Sequence, residues 1–95
     1  MWTKEVQKNS ILAKKRHQYK RIRDMVVELI SNPHLFEESD RGVAVSEHMT
    51  SIGKPVTKAT VNRHLRILGV KRSDKAIYQR HLDRLYKFKE KYLYK

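Results

Sequence analysis

Apolar residues recur at three- and four-residue intervals after Lys15 and predict one broad apolar face on a helix. The positions that form this face are Tyr19, Ile22, Met25, Val26, Leu29 and Ile30. The helix should end at Asn32-Pro33, because proline disfavours helical geometry in the residue before it. Residues 1–14 carry a weaker pattern and are interpreted as a helical lead-in, or as an arm that orders on a partner.

An acidic connector over residues 33–42 follows, and a second, short helix is predicted over about 43–52. Leu35 and Phe36 are expected to anchor the connector on the core. The helix is indicated by Val45, Met49 and Ile52 at helical spacing. Gly53 is expected just past its end, where glycine is common.

The third predicted helix, 57–68, follows the turn Lys54-Pro55-Val56 and has the clearest start signal in the chain. Thr57 is a good N-cap, because its hydroxyl can accept a hydrogen bond from a free amide in the first turn. One narrow apolar stripe runs along the helix, and Gly69 closes it. The residues of that stripe are Val61, Leu65 and Leu68.

The segment after Gly69 allows two interpretations. Val70–Arg72 and Ala76–Tyr78 could form a two-stranded wing, followed by a shorter helix. The favoured alternative is one long fourth helix that begins near Ser73, because no glycine or proline occurs after Gly69. The predicted fold is therefore all-α or mainly α, with about four helices in all and a helix-turn-helix domain, with or without a wing, over 15–72. Residues 73–95 would be a basic C-terminal helix for packing or dimerisation.

The high positive charge indicates a protein that binds a polyanion. The 95 residues carry a formal net charge of +12 with a pI near 10.2. Residues 54–95 alone hold thirteen Lys and Arg against three acids, whereas residues 32–53 hold one Arg against four acids. Such a surface attracts nucleic acid, an anionic membrane or an acidic protein.

Several classes of site and location are not expected. The chain has no cysteine, which excludes disulfides, a thiol nucleophile and Cys-ligated zinc. The five histidines form no local ligand pair, so neither a metal nor another cofactor is predicted, and no catalytic motif indicates an enzyme. No apolar run approaches a membrane span, and residues 1–20 lack a signal-peptide core. A cytoplasmic, nucleoid-associated protein is expected.

The polar face of the third helix is the candidate DNA-binding site, because it carries Lys58, Asn62, Arg63 and Arg66 and no acid. Arginine can read guanine and asparagine can read adenine through paired hydrogen bonds in the major groove. Asn62 and Arg63 are therefore the predicted base contacts. The predicted phosphate contacts are Lys54, Thr57, Lys58, Thr60, Arg66, Lys71, Arg72, Ser46, Lys15 and Arg16, with Lys14 and Lys20 beside the last two. Ser46 is expected at the start of the second helix, where it could cap the helix or donate to a phosphate, because helix N-termini favour anions.

The segment 16–72 resembles the N-terminal DNA-binding domain of the arginine repressor family. The resemblance rests on the basic first helix and on Val56-Thr57-Lys58-Ala59-Thr60-Val61-Asn62-Arg63, which is similar to that family's Val-Thr-x-Ala-Thr-Val-Ser-Arg-Asp pattern. It implies a winged helix-turn-helix with Asn62 and Arg63 on operator bases. Asparagine replaces the family's serine and His64 its aspartate, so base preference does not transfer. Arginine sensing is not implied for these residues, and no small-molecule effector is expected.

The last helix raises the question of oligomeric state. Its apolar stripe could pack on the first helix, or could pair with its copy across a twofold axis. A homodimer would predict an inverted-repeat DNA site with half-sites roughly 34 Å apart. The residues of this stripe are Leu82, Leu85, Tyr86, Tyr92 and Leu93.

The sequence favours a small transcriptional repressor that binds double-stranded DNA. The alternatives are a centromere-binding partition protein of a plasmid or phage, an architectural DNA-binding protein, or a module that docks on an acidic protein. A single-strand or RNA binder is also kept as an alternative. It would stack bases on Tyr78, Tyr86, Phe88, Tyr92 and Tyr94.

Overall fold

The computed structural model describes the backbone of residues 4–93 and the side chains of residues 13–92. The elements are α1 (Lys4–Ser31), a 3-10 helix (Pro33–Glu37), α2 (Arg41–Ser51), α3 (Lys58–Ile67) and α4 (Gln79–Leu93). No strand occurs within these described residues. The protein is therefore mainly helical, in agreement with the predicted class.

Local signals fix where the first helix ends. The backbone amide and the side-chain Nδ2 of Asn32 both donate to the carbonyl of Glu28, at 2.9 and 3.0 Å. Pro33 then starts the 3-10 helix, which buries Leu35 and Phe36 as predicted. At the N-terminal side α1 begins at Lys4 and is continuous through residue 15, so the described part of the stretch before Lys15 is helical, as in the lead-in interpretation.

Side-chain caps define α2 and α3. The Asp40 carboxylate accepts from the Val43 amide at 3.2 Å at the start of α2. The Thr57 hydroxyl accepts from the Thr60 amide at 3.3 Å at the start of α3, which confirms the predicted cap. Gly53 and Gly69 follow the two helices with φ of 81° and 71°, a conformation that suits glycine.

One apolar core joins all the helices. It contains four residues of α1, both anchors of the 3-10 helix, two residues of α2, two of α3 with the Leu68 that follows, and Leu85 of α4. α1 and α4 pack together, and α2 packs on α3. Burial of these side chains is the main favourable contribution to folding. The members are Ile22, Met25, Val26, Leu29, Leu35, Phe36, Val45, Met49, Val61, Leu65, Leu68 and Leu85.

Neither the wing nor the helix start near Ser73 is present after Gly69, whereas the shorter final helix of the wing interpretation is. Residues 70–78 form neither a wing nor the start of a helix, and α4 begins only at Gln79. Instead, the buried carboxylate of Asp74 organises a loop. It accepts from the Lys71 amide at 2.8 Å and from His81 Nε2 at 3.0 Å, and it pairs with Arg80. Side chains therefore satisfy polar groups that strand pairing would otherwise have satisfied.

The start of α4 depends on a histidine rather than on Ser73. The carbonyl of Tyr78 accepts from the amides of His81 and Leu82. The Tyr78 amide in turn donates to His81 Nδ1 at 3.0 Å. His81 thus fills the role that Glu has in a capping box, three residues into the helix. This arrangement makes Nδ1 the acceptor and leaves Nε2 to donate to Asp74.

Arg41 attaches this loop to the first turn of α2. Its guanidinium donates to the carbonyl of Asp74 at 2.8 Å, of Lys71 at 3.2 Å and of Phe36 at 3.3 Å. It also lies over the Phe36 ring, 4.6 Å from the centroid. The loop that carries Lys71 and Arg72 is consequently held in one position relative to α2 and α3.

We expect Arg41→Ala to lower the free energy of unfolding by about 1–3 kcal/mol, because it leaves part-buried carbonyls without a donor. Arg41→Lys should recover little of this loss. The ammonium group of lysine is compact and lacks the planar fork of donors with which arginine reaches several carbonyls at once. Urea denaturation would measure both variants. Arg23→Ala, an exposed cation on α1, is the matched control, and an equal loss there would contradict the assignment.

Candidate nucleic-acid interface

The side of α3 that faces away from the core carries the predicted base contact Arg63. Val61, His64, Leu65 and the following Leu68 are buried on the other side. Since successive residues of a helix are about 100° apart, positions 59, 63 and 66 point outward. Arg63 and Arg66 are exposed, and α3 contains no acidic residue that could pair with them. This face presents two arginines around the small side chain of Ala59.

Asn62 lies at the edge of that face, next to α2. A Cβ atom added to Gly42 would stand 2.7 Å from the Oδ1 of Asn62 and 3.2 Å from the Cγ of Lys58. Gly42 therefore lets the first turn of α2 approach α3 closely. Asn62 remains exposed, but its amide is less central to the outward face than the guanidinium of Arg63.

Lys58 already has an anionic partner within the protein. Its Nζ lies 2.6 Å from Oδ2 of Asp40, and this bond, together with the Val43 amide, lowers the pKa of the Asp40 carboxyl. The pair lies in a groove of about 760 Å³ between α3, the acidic connector and the loop after α3. Lys58 would have to exchange Asp40 for a phosphate in order to contact DNA.

The cations that flank α3 are exposed on both sides of it. Lys54 precedes the helix and lies 3.8 Å from Asp24 of α1. Lys71 and Arg72 follow it, and both side chains are exposed while Arg41 holds their carbonyls. Only Lys54 of these three has an ion-pair partner among the described residues.

The three predicted hydroxyl contacts make hydrogen bonds inside the protein. Thr57 caps α3, and its hydroxyl donates to the hydroxyl of Thr60 at 3.0 Å. Ser46 was expected at the start of α2, but it is the sixth residue of that helix and donates to the carbonyl of Val56 at 2.6 Å. The argument from a helix N-terminus therefore fails for Ser46, which stabilises the connection between α2 and α3.

Among the predicted N-terminal phosphate contacts, Lys15 contacts other side chains of the protein, whereas its neighbours are exposed. Lys15 lies over the rings of α4, with its Nζ 4.6 Å from the centroid of Tyr92 and 5.8 Å from that of Phe88. Such cation–π contacts help to hold α4 on α1. Arg16 is exposed, as are Lys14 and Lys20.

The apolar stripe of α4 is largely covered by the same chain. Leu85 is buried in the core and Leu82 packs against it. Tyr92 is half-buried and tilted against Phe88, with 4.9 Å between the ring centroids. Tyr86 is 55% exposed. The side chains of Leu93 and Tyr94 lie outside the described residues. Phe88 is buried and is not a free surface for stacking a base.

His64 was noted in the sequence only as a departure from the family pattern, yet it is buried on the inner side of α3, beside a cleft that residues of α1 also line. His64 is only 3% exposed, and neither of its ring nitrogens has a hydrogen-bond partner. Burial, with smaller effects from the charges of Arg21 and Arg63, lowers the pKa of His64 to about 4. The ring is therefore neutral at physiological pH.

Sequence reasoning missed the residues that position this interface, namely Arg41, Gly42, Asp74 and His81. Asp74 accepts from an amide three residues before it, whereas the common Asx turn uses an amide two residues after the Asp, so the usual turn pattern does not indicate this contact. Arg41 and Asp74 are 33 residues apart, and no local pattern indicates their contact. Among the described side chains, no group of three or more His, Asp or Glu residues is placed to hold a metal ion.

Comparison with protein-family models, with curated proteins and with solved structures finds no match to this chain. The resemblance to the arginine repressor family therefore stays a prediction that rests on the residues alone. None of the described helices is long and apolar enough to cross a membrane.

We expect His64 to make stability depend on pH in a defined window. The unfolded histidine has a pKa of 6.5 and the folded one about 4, so the unfolded state binds the proton first as pH falls. The free energy of unfolding should be at its full value above pH 6.5. It should fall as the pH drops from 6.5 towards about 4, by roughly 3 kcal/mol for this group alone. His64→Leu should remove most of this decline.

Urea denaturation at a series of pH values would measure the effect. His17→Gln, which alters an exposed histidine on α1, is the control and should keep the decline. If His64→Leu shows the same pH dependence as the parent protein, the buried ring is not its source.

Proposed function

We propose that this protein binds double-stranded DNA in a sequence-specific manner, with α2 and α3 acting as a helix-turn-helix. In this proposal α3 enters the major groove and Arg63 contacts base edges. The observation that carries it is the outward face of α3, where Arg63 and Arg66 are exposed and unpaired by any acid of that helix. A capped helix held by the core is a rigid support for such contacts.

The flanking charges support the same proposal. Lys71 and Arg72 lie beyond the end of α3 and Lys54 before its start, so they can contact phosphates on either side of the groove that α3 occupies. We further propose a small transcriptional repressor, acting as a homodimer on an inverted repeat, in which the exposed Tyr86 is available for subunit contact. A partition or architectural role would use the same surface.

The test is a titration of the protein against a random-sequence duplex pool at two salt concentrations, with the bound DNA recovered and sequenced. An enriched sequence, with affinity that falls as salt rises, is the expected result. An inverted repeat in that sequence would support the dimer. Salt-sensitive binding without any enriched sequence would contradict sequence-specific recognition.

Arg63→Ala should cost roughly 1–3 kcal/mol on the enriched site and little on random DNA, because a base contact contributes only where the base is present. Fluorescence anisotropy on both duplexes would measure this difference. Lys87→Ala, which removes an exposed charge from α4, is the charge-matched control. Equal losses on the two duplexes for Arg63→Ala would show that Arg63 does not read a base.

Asp40→Asn should strengthen binding to both duplexes, by about threefold to tenfold at low salt. The substitution releases Lys58 from its ion pair and removes a negative charge from the groove, whereas asparagine still caps α2. The predicted gain should shrink as salt rises, because charge effects are screened. An unchanged or weaker affinity, with α2 intact by circular dichroism, would contradict a phosphate contact at Lys58.

A further inference from the structure

A second cleft, of about 280 Å³, lies between α1, the end of α2 and α3, apart from the groove beside Lys58. His64 lines it together with the apolar side chains of Met49, Pro55 and Val56. His64 is buried, and both of its ring nitrogens lack a partner. Buried polar groups in proteins almost always have a hydrogen-bond partner. The His64 ring has none, although it borders a cleft.

The rim of the cleft is strongly cationic. Lys20 and Arg21 of α1 line it and are exposed, as is Lys54 from the connection between α2 and α3. The acid at this rim, Asp24, is 3.8 Å from Lys54 and offsets one of the three charges. A small anion in the cleft would therefore meet a net positive charge as well as an unpaired donor.

We propose that this cleft binds a small organic anion, a carboxylate carried on an apolar body. The carboxylate accepts from the His64 ring and from Arg21, and the body packs on Met49, Pro55 and Val56. The cleft is slightly smaller than the roughly 300–1,000 Å³ of pockets that hold drug-sized ligands, so the ligand is a small one. The apolar wall favours this class over inorganic phosphate or a DNA phosphate, which would leave it uncovered.

Binding should be linked to protonation of His64. A carboxylate beside the ring stabilises the imidazolium and opposes the charges of Arg21 and Arg63, so affinity should rise as pH falls. The other charged or titratable groups that face the cleft are His17, Lys20 and Asp24 from α1 and Lys54 from the connection. α2 contributes only the uncharged Met49 to it.

The proposal can be tested without DNA. The full chain, with isotope-labelled histidines, is titrated with benzoate, and the histidine ring resonances are monitored by NMR. The His64 resonances should shift saturably with benzoate, and the affinity should increase as the pH is lowered from about 6.5 to about 5, towards the low pKa of the buried ring. Benzamide, which is neutral and has the same shape, should bind far more weakly. A failure here would leave the DNA-binding proposal untouched, because no step of the measurement involves DNA.

Arg21→Gln should weaken benzoate binding by about tenfold, through loss of one charge-assisted hydrogen bond. Arg23→Gln, on the same helix but outside the cleft, is the matched control and should change little. His64→Leu should abolish binding while the protein stays folded, because it replaces an unpaired ring with an apolar side chain.

Equal effects of Arg21→Gln and Arg23→Gln would overturn the site, as would equal binding of benzoate and benzamide. A shift of His64 with phosphate as large as that with benzoate would overturn the organic class of ligand.

Discussion

The carboxylate of Asp74 lies where the end of α3, the start of α4 and the first turn of α2 meet, and the relative positions of these elements depend on it. The Lys71 amide, with Arg80 and His81, holds its pKa at about 2, well below the ordinary value, although burial acts in the opposite direction. The backbone carbonyl of the same residue receives Arg41. One residue thus connects α2, α4 and the loop after α3 through four donors, and a buried charge of this kind is tolerated only because it is so fully paired.

The apolar core and the Asp74 network act on different parts of the candidate DNA-binding face. The core fixes the rotation of α3, since Val61, Leu65 and Leu68 point inward and so turn Arg63 outward. The network fixes the backbone of the loop that carries Lys71 and Arg72. The direction of α3 and the position of the loop that carries Lys71 and Arg72 are therefore set independently. Such an arrangement would suit the proposed binding to a regular polyanion.

Much of the fold could be predicted from local patterns, and the parts that could not depend on contacts distant in the chain. The apolar spacing predicted α1, α2 and α3, and the cap at Thr57 and the helix-ending glycines are where they were expected. The start of α4 was not predictable, because the capping group is an imidazole and not a Ser, Thr, Asp or Asn side chain. The inward role of Ser46 and the aromatic contacts of Lys15 were missed for a similar reason: residue type alone does not tell which neighbour a side chain meets.

The hydrogen bonds of the Lys71 and Tyr78 amides have a consequence for the dynamics of the protein. Both protons are held by side chains, the first by Asp74 and the second by His81, and not by the carbonyls of a helix. Their exchange with solvent deuterium therefore reports the opening of the loop network, whereas the amides inside α3 and α4 report the unfolding of the helices. Comparison of the two sets separates the local opening beside α3 from global unfolding within a single protein sample.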